Sequence, residues 1–151
     1  MDLEGWQQTR WGMTDAEIVQ AVGTEHLKRT AREDYRDWYA ELQIQDVEVG
    51  HYRFDVIFQM EKASNRLAQV LIAYDADGTE NLSGAFKAAR KMLQEKFGEP
   101  VRLGTSDNWA WIFPTTTIVL SSLAIEEITY RVTVMYRPTS STSKFEKLSA
   151  F

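Results

Sequence analysis

The chain has 151 residues, 17 Lys+Arg against 22 Asp+Glu, and a formal net charge of −5. Its length fits one domain of roughly 100–200 residues, and 44% hydrophobic with 26% charged residues excludes a disordered, collagenous or coiled-coil chain. With no cysteine, disulfides, thiolate catalysis, iron–sulfur clusters and cysteine-rich zinc sites are excluded. The acidic balance argues against a nucleic-acid partner, because phosphate contacts supply most of that affinity. No run approaches 18 uninterrupted apolar residues, so no membrane span is expected. The opening Met-Asp-Leu-Glu-Gly-Trp lacks the basic-then-apolar pattern of a signal peptide. The expected compartment is cytoplasmic as the chain stands, and periplasmic if such a segment had been removed.

In chain order, Thr14 and Glu17 form a capping box that opens a helix carrying Ile18 and Val22 on one face, and Gly23 stops it. Lys28, Arg29, Arg32 and Arg36 interleave with Glu25, Glu33, Asp34 and Asp37, which reads as a solvated helix or loop face, and the highly charged residues 24–34 read as a loop or a frayed helical extension. Leu42 and Ile44, then Tyr52, Phe54, Val56, Phe58 and Met60, alternate with polar residues and predict strands with one buried face. Leu67 to Tyr74 is apolar throughout and predicts a central strand. Asp75-Ala-Asp-Gly78 predicts a turn, after which Leu82, Phe86, Ala89, Leu93 and Phe97 recur at helical spacing up to Gly98-Glu-Pro100. Trp109 to Phe113, Thr116 to Leu123 and Ile128 to Tyr136 predict three more strands.

The expected fold is therefore α+β: an antiparallel sheet of about six strands with two helices on one face, in the order α-β-β-β-α-β-β-β. Residues 1–137 form the domain and 138–151 a polar tail, in which Lys144 to Phe151 forms at most one weak amphipathic turn. Aligning Gly23 with Gly98 pairs Ile18 with Leu93 and Val22 with Phe97; Trp38 then matches Trp109, and Tyr52–Phe58 matches Tyr130–Tyr136. An internal duplication or strand alternation alone accounts for that match.

Gly12-Met13-Thr14-Asp-Ala-Glu-Ile18-Val-Gln-Ala-Val22-Gly23 resembles the Gly-Met-Thr-x-x-x-Val-x-x-x-Leu-Gly pattern of SmpA/BamE-like bacterial outer-membrane assembly lipoproteins, a group that extends to β-lactamase-inhibitory-protein-like modules. With Trp11 in front, the stretch is also similar to small uncharacterised bacterial proteins bearing Trp-Gly-Met-Ser/Thr. The resemblance implies an α+β module whose sheet binds protein or faces lipid, with no catalytic residue to carry over. The chain has no cysteine to lipidate, so membrane attachment is not part of what the resemblance implies.

Chemistry is sparse. His26 and His51 are the two histidines, and neither has a metal-ligand partner at an informative spacing, so no metal or cofactor is expected. Taking Asp75 as the first position of a calcium loop puts Gly78 fourth rather than sixth and Phe86 where a bidentate Glu is needed. Glu126 and Glu127 are adjacent on a predicted strand and point to opposite faces. No Gly-x-Ser-x-Gly elbow or phosphate-binding glycine loop occurs, so an enzyme is not expected; one would have to use His51 or Asp55 in a cleft. Tryptophan is the remaining signal: Trp6, Trp11, Trp109 and Trp111 are candidate partner- or ligand-binding residues, the last two on one face of a strand. The leading function is a non-catalytic protein-binding module of accessory, inhibitory or immunity type, its partner another protein or a second copy of the chain. The alternative is a small-ligand or lipid carrier with an apolar pocket between sheet and long helix, lined by Trp109, Trp111, Phe86 and Leu93.

Overall fold

Local chemistry starts the chain's first helix as its sequence requires. The Thr14 hydroxyl accepts the backbone N–H of Glu17, while the Glu17 carboxylate accepts the backbone N–H of Thr14, capping α1 (Asp15–Val22) from both sides. Gly23, at φ 90°, ends it in a conformation that disfavours any side chain. The computed structural model describes residues 1–105, 107–125 and 129–141. Glu126, Glu127 and the expected tail from 142 onward lie outside the described residues.

After α1 come β1 (Leu27–Asp34), β2 (Trp38–Val49), β3 (Tyr52–Glu61) and β4 (Arg66–Ala76). Then follow α2 (Thr79–Phe97), β5 (Val101–Arg102), β6 (Trp109–Ile112), β7 (Thr116–Ile125) and β8 (Thr129–Pro138). The strands form one antiparallel sheet in the order β1-β2-β3-β4-β8-β7-β6-β5. This corrects the six-strand expectation: the sheet has eight strands, and strand makes up about 49% of the chain against 22% helix, so the sheet rather than a balanced pair of layers dominates. Two strands escaped the apolar pattern for different reasons. β1 is an edge strand with only Leu27 and Thr30 half-buried. Its charges are met by neighbours, with Arg29 on Asp15 at 2.8 Å, Arg32 on Asp34 at 3.0 Å and Lys62 on Asp34 at 3.5 Å. β5 is two residues long and carries no period at all.

Among the described residues the order up to β8 is thus one helix and four strands, twice, in place of one helix and three. Each set of four is a meander, and the sets join where β4 pairs with β8. Gly23 and Gly98 do occupy corresponding helix ends, and Trp38 and Trp109 open the second strand of each set. The match of Tyr52–Phe58 with Tyr130–Tyr136 fails, because it sets a third strand against a fourth.

Register builds the core. Ile44, Val56, Ile72, Val134, Leu120 and Trp109 stand opposite one another across six strands, in a single row on the face that α2 covers. Buried Ala85, Ala89 and Leu93 form the α2 side of that contact. The small residues let the helix approach closely, and at Gly84 a Cβ would lie 2.0 Å from the Tyr52 hydroxyl. Ile18 of α1 and Trp6 of the N-terminal segment complete the same cluster. Two further boundaries differ from the sequence reading. Asp75 belongs to β4, where it accepts from Arg131 Nε at 2.8 Å, and Gly78 caps α2 with no side-chain hydrogen bond. Pro138 pairs with Thr116 inside β8, and the Thr139 hydroxyl donates to the Phe113 carbonyl at 2.6 Å, so the sheet extends beyond residue 137.

Candidate functional site

The sheet has two unlike faces, and the four candidate tryptophans all belong to the one that is covered. Trp6 is 6% exposed and meets Phe58 edge-on at 5.8 Å. Half-buried Trp11 donates its indole N–H to Thr116 Oγ1 at 2.9 Å, tying the N-terminal segment to β7. Trp111 is 3% exposed and donates to the Gly98 carbonyl at 2.7 Å, which satisfies an acceptor at the end of α2. Trp109 shares its face with Trp111, as alternation predicts, and lies under the Arg90 guanidinium at 4.0 Å. These indoles hold elements together and present little surface to a partner.

The opposite face carries the residues that sequence reading missed. Gln43, Ile57, Leu71, Met135, Val119, Ala110 and Val101 stand in one cross-strand row there. Among the described residues three large aliphatic side chains on this face are exposed: Val101 at 52%, Ile112 at 55% and Leu123 at 47%. The signal was present in Trp109-Ala-Trp-Ile112, since residues that alternate with two core tryptophans must point away from the core. Both ends of the sheet resist strand addition, β1 through its charges and β5 through its length. Beside the patch, Asp75 holds Arg131 in its charged form, with Tyr35 and Glu33 at the β1–β2 turn adding to the field.

Titratable chemistry does not converge. His26 and His51 are exposed, and Asp55 accepts the backbone N–H of Asp46 at 3.1 Å within the β2 bulge. Among the described residues no three His, Asp or Glu side chains come together as metal ligands. No described helix is long and apolar enough to cross a membrane.

A cavity of about 120 Å³ lies between α2 and the sheet. Phe54, Val56, Ile72, Leu93 and Val134 form its apolar interior, with Trp6 and Tyr136 at one wall and Met92 and Lys96 at the rim. Of the four residues expected to line such a pocket, Leu93 does so, while Trp109, Trp111 and Phe86 lie elsewhere on the covered face. A groove of about 220 Å³ adjoins it along the N-terminal segment, and Trp6, Gln7, Lys96 and Tyr136 border both spaces. Burial raises the Tyr136 phenol above the ordinary tyrosine range, so it stays a neutral O–H donor. Compared with known protein families, with characterised proteins and with solved structures, the chain matches none.

Proposed function

We propose that this protein is a non-catalytic binding module that holds another protein on the face of its sheet away from α2, through Val101, Ile112 and Leu123. The observation that carries this reading is the placement of three half-exposed aliphatic side chains on one face. Val101 and Ile112 lie on neighbouring strands and Leu123 further along β7, so a partner would span this face to reach all three. Blunted edges direct binding to the face rather than to an added strand. A net charge of −5 sets a second copy at an electrostatic disadvantage and favours a partner with a basic rim around its apolar contact.

The test begins with a photo-cross-linking amino acid at position 112 in cells of the source organism. The captured protein is then purified and titrated calorimetrically against wild type, Ile112→Asp and Met92→Ser, the last on the exposed side of α2. Ile112→Asp is expected to weaken binding at least tenfold, about 1.4 kcal/mol, with Met92→Ser unchanged. Equal affinities for wild type and Ile112→Asp overturn the reading. A self-cross-link with a dimer in sedimentation replaces it with self-association.

The cavity under α2 favours a second reading, a carrier of a small apolar ligand. Its volume is below the range of about 300–1,000 Å³ that takes a drug-sized molecule, which restricts an occupant to one ring or a few methylenes.

A further inference from the structure

The carrier reading becomes specific at the junction of the cavity and the groove. Tyr136 borders both spaces and is 6% exposed, yet its hydroxyl has no hydrogen-bond partner among the described residues. The hydroxyl reaches the groove, where an arriving polar group can accept a hydrogen bond from it. Lys96 also borders both spaces and forms no ion pair among the described residues; its ammonium is 5.4 Å from the Phe97 ring centre. The other cationic side chain bordering the groove, Arg10, is engaged by Glu4 at 3.2 Å, and the Met1 ammonium acts on Asp2. Among the described residues Glu48 is the one carboxylate lining the cavity and does not border the groove, so the junction of the two spaces, with Lys96 and the Tyr136 hydroxyl, suits a singly charged acceptor with a hydrocarbon tail. Glu4 and Asp2 in the same groove disfavour a dianion such as phosphate.

We infer that the cavity under α2 binds the tail of a short aliphatic monocarboxylate, whose carboxylate accepts from the Tyr136 hydroxyl and pairs with Lys96. This rests on the carrier reading and supplies its ligand class. The volume sets the tail length. A cavity of about 150 Å³ accommodates benzene, so about 120 Å³ takes some four or five carbons. Hexanoate, with five carbons beyond its carboxylate, is the matching probe.

Calorimetric titration at pH 7 compares hexanoate with acetate, which lacks the tail, and hexylamine, which inverts the charge. Hexanoate is expected to saturate one site, with acetate and hexylamine at least tenfold weaker. Tyr136→Phe, which keeps the ring and the packing, is expected to weaken hexanoate about tenfold, as loss of a hydrogen bond to a charged group does. Lys96→Gln is expected to abolish the preference over hexylamine. Ala89→Leu, whose added side chain fills the cavity, is expected to abolish binding of all three. Hexylamine binding as tightly as hexanoate, or no effect of Tyr136→Phe, overturns the carboxylate assignment while leaving a ligand cavity. Absence of binding by every probe overturns the carrier reading with it. Should Ala89→Leu fail to fold, Tyr136→Phe and Lys96→Gln decide the matter alone.

Discussion

Gly84 sets two well-measured effects against each other, so its replacement tests how tightly α2 is held to the sheet. It sits inside α2, where alanine is favoured over glycine by roughly 1 kcal/mol. Against this, a Cβ would lie 2.0 Å from the Tyr52 hydroxyl and 2.9 Å from Cζ, where ordinary contact begins near 3.4 Å. The hydroxyl is the far end of its side chain, but the ring is wedged against Tyr74, with centres 5.3 Å apart and planes at 79°. Overpacking of this kind costs roughly 1–3 kcal/mol, so Gly84→Ala is expected to destabilise by about 1 kcal/mol net. Tyr52→Phe removes the closest atom. In that background the same substitution is expected to be neutral or stabilising, giving a coupling of about 1–2 kcal/mol. Urea denaturation of the four proteins of the cycle measures this directly, and thermal unfolding adds a shift of roughly 2–4 °C per kcal/mol at this size. If Gly84→Ala stabilises the wild-type background, the close approach of α2 to β3 is wrong.

Two further outcomes follow from single contacts. Trp111→Ala removes a 3%-exposed indole and leaves the Gly98 carbonyl without its donor. It is expected to cost about 3–5 kcal/mol in chemical denaturation, and a loss below about 1 kcal/mol would show that the indole is not part of the core. Asp2 is held below the ordinary carboxyl range, first by the Thr115 hydroxyl and then by the Thr115 backbone N–H, both of which stabilise the charged form. A carboxyl depressed in the folded state stabilises it above the unfolded value near 3.8; that contribution is lost as pH falls through the folded value. The difference in melting temperature between wild type and Asp2→Asn is therefore expected to be constant from about pH 7 to 5 and to close in stronger acid. A gap that persists at pH 2 contradicts the contact.

What could be read from the sequence and what could not divide along physical lines. β3, β4 and α2 were legible because burial on one side imprints a period of two or 3.6 on the chain. β1 was not, because an edge strand buries almost nothing and is held by backbone pairing and by ion pairs such as Arg29–Asp15. The tryptophans mark the limit of periodicity most clearly. Alternation placed Trp109 and Trp111 together, but it cannot say which side of a sheet a helix will cover when both sides carry apolar residues. Here Ile112, Val119 and Leu123 have the opposite parity to those indoles and are as hydrophobic as the covered side. The cavity was less legible still, since it exists only where three segments distant in sequence meet: Val47 beside the bulge at Asp46, small Ala89 on α2, and Trp6 from the N-terminus. Each of these residues alone reads as ordinary core. Their joint failure to fill one space, with the Tyr136 hydroxyl and the Lys96 ammonium at its edge, is a property of the fold rather than of any local pattern.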